Sequence, residues 1–162
     1  YFKHTYCLQH FTYVVNKMST PQEDITKVFC YWSSILVLKM LAMSLLTARQ
    51  RFSKKAFANP EDTGFSKSGK VCYEDPDVER IRRSHRNDLE NILPWFMITY
   101  VWLGTNPSYG QASFLIKAFV LSRVSHTLAY AVIPAQPWRA IAFFVGYFIT
   151  GYQALSTMIH YY

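Results

Sequence analysis

Residues 77–100 change character along the chain rather than around a helix. The sequence DVERIRRSHRNDLENILPWFMITY is dense in charge at its start and almost free of charge at its end. A soluble amphipathic helix separates polar from apolar residues around its axis. A change along the axis is typical of a helix whose polar end leaves a membrane, or lines a cavity in it, while the other end contacts lipid. Ionisable groups at membrane depth are costly, so these are expected to face a site or a partner.

The composition also favours a membrane protein. Apolar residues make up 51% of the chain and aromatic residues 17%. The net charge of +7 indicates basic loops near anionic lipid, or an anionic ligand. No basic stretch stands apart from the apolar spans, so a nucleic-acid partner is not predicted. Cys7, Cys30 and Cys72 form no C-x-x-C pair and have no histidine at a zinc-like spacing, so no metal site is predicted.

Four apolar spans are predicted, at residues 25–48, 77–100, 109–133 and 138–159. The first is long enough to cross about 30 Å of hydrocarbon at about 1.5 Å per residue. Lys39 interrupts it and is expected to face a neighbouring helix or reach the membrane surface rather than bind a ligand. The predicted fold is an all-α, four-helix membrane bundle. A soluble helical bundle is the alternative.

Local signals predict where the second span begins and bends. Asp75 is suited to cap a helix and Pro76 to occupy its first position. Pro94 is predicted to kink the helix near the change from polar to apolar residues. Turns are predicted at residues 104–107, which read GTNP, and at residues 134–137, which read PAQP.

The start of the chain is interpreted as an extension. Residues 1–17 have neither a continuous apolar core nor a small-residue cleavage site, so they do not resemble a signal peptide. Met18 is a natural start, which predicts a non-native or upstream extension at 1–17 and one membrane domain at 18–162.

The loops differ in charge, and this predicts an orientation. Residues 49–70 carry six Lys or Arg side chains, whereas residues 104–109 carry none. Positively charged loops stay on the cytosolic side. The first and third loops are therefore predicted to be cytosolic and both termini luminal.

Charged residues recur on two stripes of the second span. Arg80, Arg83, Asn87 and Glu90 share one face at spacings of three or four, while Arg82 and Arg86 lie on another. Two interpretations stay open at this point. One is a solvated helix end with pairs such as Glu79–Arg83 and Arg86–Glu90, and the other is an anion-binding site.

The third span carries a second polar group. Arg123, His126 and Tyr130 share a face inside an otherwise apolar segment, which favours a polar cavity. Taken with the second span, they outline a cationic pocket that suits a small anionic, peptide-like ligand. Guanidinium groups bind carboxylates through two parallel hydrogen bonds, and Glu90 is suited to bind a ligand ammonium group.

Four segments resemble the MAPEG family, the membrane-associated proteins in eicosanoid and glutathione metabolism. They are KKAFANPED (residues 54–62), DPDVERIRRSHRNDLENILP (75–94), SRVSHTLAY (122–130) and QPWRAIAFFVGY (136–147). They are long and fall in the family's order. The resemblance covers the chain from about residue 25 onward and implies a homotrimeric four-helix membrane bundle with glutathione sites between subunits.

The resemblance also implies roles for individual residues, with glutathione as co-substrate. The glutathione-site positions match Arg51, Arg83, Arg86, Asn87, Glu90, His126 and Tyr130. Arg139 matches the catalytic arginine that stabilises the thiolate. Asp62 matches an aspartate with a catalytic role in the prostaglandin-forming branch of the family.

Departures from the family pattern separate its branches. Ala140 replaces a serine and Phe143 a tyrosine of the prostaglandin-forming branch, which weakens that interpretation. Thr63 stands where the mammalian transferases have a stress-sensing cysteine.

The expected function is conjugation of glutathione to hydrophobic electrophiles, with reduction of lipid hydroperoxides as a side activity, in the endoplasmic reticulum or outer mitochondrial membrane.

Three other functions stay open. The first is glutathione-dependent isomerisation of a prostaglandin endoperoxide through the same thiolate. The second is a non-catalytic, lipid-binding adaptor, although such family members lack the full glutathione-site set. The third is an ion pathway, for which the sequence has no repeated pattern of gating charges.

Overall fold

The predicted all-α bundle is confirmed by a computed structural model, which describes residues 21–132 and 136–162. Four long helices correspond to the four predicted spans. They are α1 (Pro21–Lys54), α2 (Pro76–Leu103), α3 (Tyr109–Thr127) and α4 (Trp138–Tyr161). The interpretation of residues 1–17 as an extension, and part of the turn predicted at 134–137, lie outside the described residues.

The outer surface of the bundle is apolar. By length and composition, the segments Glu23–Lys54 and Trp138–Tyr161 could each cross a membrane. Large apolar side chains point outward from all four helices, among them Leu45, Met97, Phe114 and Phe148. Water would disfavour so much exposed apolar surface, whereas lipid tails accommodate it. The structure therefore favours the membrane bundle over the soluble alternative.

An aromatic stack forms the centre of the bundle. The rings of Trp95 on α2 and Phe119 on α3 lie parallel with centroids 4.2 Å apart, and both are fully buried. Leu36 from α1 and Ile116 from α3 complete this core. The stack joins α2 to α3 halfway along the bundle and leaves their polar ends on one side of it.

Helix α4 packs closely against its neighbours. A Cβ atom added at Gly146 would lie 3.1 Å from Ser122 Oγ and 3.4 Å from the Phe119 ring, so a glycine permits the close approach of α4 to α3. On the other flank, Thr99 Oγ1 donates a buried hydrogen bond of 2.9 Å to Gln153 Oε1. These two contacts set the position of α4 along both α2 and α3.

The ends of α2 form as predicted. The Asp75 carboxylate accepts hydrogen bonds from the backbone N–H groups of Asp77 and Val78 at 3.1 and 3.0 Å, and Pro76 opens the helix. The helix continues past Pro94 to Leu103. Asn106 then takes a left-handed conformation, with φ of 55°, in the predicted turn.

The loop between α1 and α2 contains a small sheet that the sequence did not predict. Strands β1 (Ala56–Phe57) and β2 (Lys70–Val71) pair in parallel on either side of a 3₁₀ helix (Pro60–Phe65). Two-residue strands are too short to show alternation in a sequence. The pairing closes the loop and holds the 3₁₀ helix near the end of α1.

The third span is not one regular helix. It is α-helical to Thr127 and continues as a π-helical turn, Leu128–Val132. A π turn is wider than an α turn and is often found at functional sites. The turn contains Tyr130, whose ring lies beside that of His126, with centroids 5.6 Å apart.

Candidate active site

A buried ion cluster lies where α1, α2 and α3 meet. The Asp88 carboxylate on α2 is 2.5 Å from the Lys39 ammonium on α1 and 3.1 Å from Nη2 of Arg123 on α3. Asp88 and Arg123 are fully buried. The prediction that Lys39 faces a neighbouring helix is therefore confirmed. Asp88 was not among the predicted site residues, although a carboxylate inside a predicted span is itself a signal.

Arg123 connects this cluster to two predicted site residues. Its Nη2 atom donates to Asn87 Oδ1 at 2.6 Å and lies 3.3 Å from His126 Nδ1. Arg123 and His126 therefore meet, as their spacing predicted. The additional contact with Asn87 comes from a different helix and depends on the packing of α2 against α3.

The contacts continue to the predicted catalytic arginine. The rings of His126 and Tyr130 have centroids 5.6 Å apart. The Arg139 guanidinium lies over the Tyr130 ring, 4.7 Å from its centroid, within range of a cation–π contact. The Gln136 amide, with its oxygen turned toward Arg139, accepts hydrogen bonds from Nη2 at 2.5 Å and Nε at 3.2 Å. These two contacts fix the position of the Arg139 side chain, which is half-buried.

A cleft between α2 and α4 lies beside this series of contacts. Its volume is about 490 Å³, and its walls are Asn87, Glu90, Asn91 and Pro94 of α2 with Phe143, Tyr147, Thr150, Gly151 and Ala154 of α4. The Phe143 ring is 6.4 Å from that of His126. The cleft thus has a polar end near Asn87 and a largely apolar remainder, which suits a ligand with both characters.

The other predicted arginines lie away from this cleft. Arg86 lines a groove on the opposite flank of α2, with Ser44 and Thr47 of α1 among its neighbours. Arg83 is exposed. Arg51, near the end of α1, donates to the Ala56 carbonyl at 3.1 Å. One chain therefore does not bring all the predicted glutathione-site residues together.

Asp62, the second predicted catalytic residue, lies in the 3₁₀ helix of the first loop. Its carboxylate accepts a hydrogen bond of 3.1 Å from the Asn59 side chain. Half-buried in this loop, it is held by a residue three positions earlier. The described contacts give it no link to Arg139.

The charged start of α2 carries ion pairs, as expected from the first of the two interpretations that the sequence left open. Glu79 pairs with Arg82 at 2.5 Å instead of the suggested partner Arg83, because positions three apart are also neighbours on a helix. Lys54 of α1 lies 2.6 Å from Asp77. The hydrogen bond and positive charge of Lys54 lower the pKa of Asp77. These pairs form a solvated helix end, while Asn87 and Glu90 on the other stripe enter the cleft.

Comparison with known proteins gives the family. The MAPEG family profile matches residues 29–159. Microsomal glutathione S-transferase 1 of Bos taurus is 38% identical over 154 residues, covering 91% of this chain and 99% of the relative. The Mus musculus protein of that name is 42% identical over 144 residues, covering 85% and 93%. Prostaglandin E synthase of Homo sapiens is 40% identical over 128 residues, covering 78% and 81%. The chain therefore belongs to the MAPEG family, as its motifs predicted.

Proposed function

We propose that this protein is a membrane-bound glutathione transferase, which conjugates glutathione to hydrophobic electrophiles through a thiolate stabilised by Arg139. One observation carries the proposal. Arg139 is held over Tyr130 at one end of a series of contacts whose other end, Asn87, lines the cleft. Relatives named microsomal glutathione S-transferase 1 support this choice of reaction.

The chemistry requires a group that favours the thiolate over the thiol. A free cysteine-type thiol is mostly protonated at neutral pH. Each tenfold gain in the thiolate-to-thiol ratio needs about 1.4 kcal/mol of preferential stabilisation. A hydrogen bond from a charged donor contributes about 1.5–3 kcal/mol, so one contact from Arg139 is of the required size. The thiolate then attacks the electrophile and the leaving group departs.

The polar residues of the cleft are proposed to hold the tripeptide. Glu90 receives its ammonium group, and Asn87, His126 and Tyr130 orient it. Its carboxylates pair with Arg51, Arg83 and Arg86, because guanidinium groups match carboxylates in a two-point contact. Asp62 remains a second proposed catalytic residue, on the family resemblance alone.

We propose a homotrimer with sites between subunits, and the separation of these residues supports it. Arg86 faces the α1 side of α2, whereas Asn87 and Glu90 face the α4 side. If each chain presents two half-sites on opposite flanks of α2, neighbouring copies complete three equivalent sites. This arrangement is the one implied by the family resemblance.

The proposed orientation rests on the charge of the loops, and the proposed membrane rests on the family resemblance. The site faces the cytosol and the termini face the lumen, in the endoplasmic reticulum or the outer mitochondrial membrane. The domain is proposed to comprise residues 18–162. Lipid on the outer surface would concentrate apolar electrophiles, including lipid hydroperoxides, whose reduction is the proposed side activity.

The direct test is glutathione conjugation to a haloarene by the purified protein in detergent. We expect Arg139→Ala to lower the rate at saturating glutathione by at least about a hundredfold, the size found for loss of a transition-state donor. Arg49→Ala is the matched control, because Arg49 is exposed near the end of α1 and is not among the proposed site residues. Full activity of Arg139→Ala would refute the assignment.

Isomerisation of a prostaglandin endoperoxide is the second candidate function. Relatives named prostaglandin E synthase, at 40% identity, favour it, while Ala140 and Phe143 argue against it. Turnover of an endoperoxide and of a haloarene by the same preparation separates the two reactions. If titration calorimetry detects no binding of glutathione, the adaptor alternative is favoured instead.

A further inference from the structure

Asp88 fixes the position of Arg123 inside the bundle. Both side chains are fully buried, and Arg123 Nη2 is 3.1 Å from Asp88 Oδ1. The same carboxylate forms an ion pair with Lys39 of α1 and lies 3.5 Å from Thr127 Oγ1. A guanidinium held by a buried carboxylate cannot turn away without leaving that carboxylate partly unpaired, which is strongly unfavourable.

The chemistry of Arg123 then fixes the orientation of Asn87. A guanidinium has donors only, so the atom of Asn87 that lies 2.6 Å from Nη2 must be the amide oxygen. The NH₂ group of Asn87 is thereby directed away from Arg123. Asn87 also lines the cleft, to which it presents donors rather than an acceptor.

The same reasoning fixes the proton of His126. Its Nδ1 lies 3.3 Å from Arg123 Nη2. The two hydrogens of Nη2 also face the oxygens of Asn87 and Asp88, at 2.6 and 3.1 Å, so one hydrogen is shared with Nδ1. An N–H of His126 directed at this donor-only nitrogen would be repelled. Nδ1 must therefore accept, which places the proton of a neutral imidazole on Nε2. The rings of Tyr130 and Phe143 lie beside this imidazole, with centroids 5.6 and 6.4 Å from its own.

We propose that Arg123, locked by Asp88, is a positioning residue that makes both Asn87 and His126 hydrogen-bond donors toward the ligand site. Asparagine and neutral histidine each have a donor and an acceptor, so without Arg123 either side chain could present the wrong atom. Two fixed donors suit a ligand that carries only acceptors there, such as a carboxylate or a thiolate. The choice of glutathione as that ligand rests on the proposed function, whereas the orientation of the side chains does not.

The first test uses the ligand-free protein. Nitrogen NMR of histidine-labelled protein at neutral pH, with His126 assigned by its loss in His126→Gln, reports the tautomer. We expect the Nε2–H form in the wild type and a mixture of tautomers in Arg123→Gln. The Nδ1–H form or a doubly protonated ring in the wild type would overturn the proposal, whether or not the Arg123 variant folds.

The second test measures glutathione affinity by calorimetry. Asn87→Asp keeps an oxygen toward Arg123 and replaces the NH₂ group by another acceptor. We expect it to weaken binding by about tenfold or more, the typical loss for one hydrogen bond to a charged group. Asn91→Asp adds the same charge to the same cleft one turn away and also loses a hydrogen bond to the Asn87 backbone carbonyl. It is therefore a stringent control, and we expect it to have a clearly smaller effect.

The outcomes separate this proposal from the proposed function. Equal losses in Asn87→Asp and Asn91→Asp would mean that added charge alone matters, and would overturn the donor role of Asn87. A wild-type protein that binds no glutathione would refute the proposed function, while the tautomer of His126 would still test the orientation set by Arg123.

Discussion

Two aspartates on the same helix show how much surroundings decide the value of an ion pair. Asp88 lies fully buried between Lys39 and Arg123. Asp77 pairs with Lys54 at a similar distance, but their side chains keep 33% and 42% of their exposure. Water screens the second pair and competes for it. The first joins three helices, and loss of its carboxylate leaves charge with no solvent to receive it.

The largest expected effect is at Asp88. Asp88→Asn keeps the size of the side chain but leaves the buried Arg123 and the partly buried Lys39 without a carboxylate, and breaking a buried pair costs about 3–5 kcal/mol. Denaturation of the detergent-solubilised protein measures this loss. Lys39→Met added to Asp88→Asn removes one stranded cation and is expected to recover part of the stability. A cost for Asp88→Asn as small as that for Asp77→Asn would break the comparison.

A neutral polar pair in the same core should have a smaller effect. Thr99→Val removes the donor to Gln153 and leaves a buried amide oxygen without that partner, at a cost of about 1–3 kcal/mol. Adding Gln153→Leu to Thr99→Val removes both polar groups and should restore stability toward the wild type. If the double variant is no better than the single, the hydrogen bond is not what Thr99 contributes.

The N-terminal cap of α2 should contribute less again. Asp75→Ala removes two hydrogen bonds to the first turn, which is expected to cost about 1 kcal/mol. Asp75→Asn retains a capping oxygen and is the matched control. Equal losses in the two variants would indicate that charge, rather than capping, is what matters at this position.

The smallest effect is expected at the solvated pair. The pKa of Asp77 is lowered in the folded state by the hydrogen bond and charge of Lys54. Its contribution is therefore present above the unfolded pKa and is lost as the pH falls through the folded one. Comparing the stability of the wild type and Asp77→Asn across acidic pH tests this. A difference that grows as the pH falls would contradict it.

Local signals in the sequence were enough to predict the helices. The apolar runs located all four, and Asp75 with Pro76 located the start of α2, because capping depends on residues adjacent in the chain. The strand pair Ala56–Phe57 with Lys70–Val71 could not be predicted, since it depends on the path of the loop. The sequence could not show whether Glu79 pairs with Arg82 or with Arg83, because both are neighbours of Glu79 on a helix.

The sequence identified most residues of the candidate site but not the contacts between them. Arg123, His126 and Tyr130 were found from their spacing, and the catalytic role of Arg139 from the family motifs. Asp88 was missed because its partners, Lys39 and Arg123, are 49 and 35 positions away in sequence and meet only when three helices pack. The roles of Arg51, Arg83, Arg86 and Asp62 remain predictions, as their side chains lie outside the cleft of a single chain.

The most direct test of the proposed chemistry is the ionisation of bound glutathione. Ultraviolet difference absorbance at neutral pH measures the thiolate, with calorimetry as a separate measure of binding. We expect the wild type and Arg49→Gln to bind glutathione as the thiolate, and Arg139→Gln to bind it mainly as the thiol. An equal thiolate signal in Arg139→Gln, with glutathione bound, would contradict the claim that Arg139 stabilises the anionic sulfur.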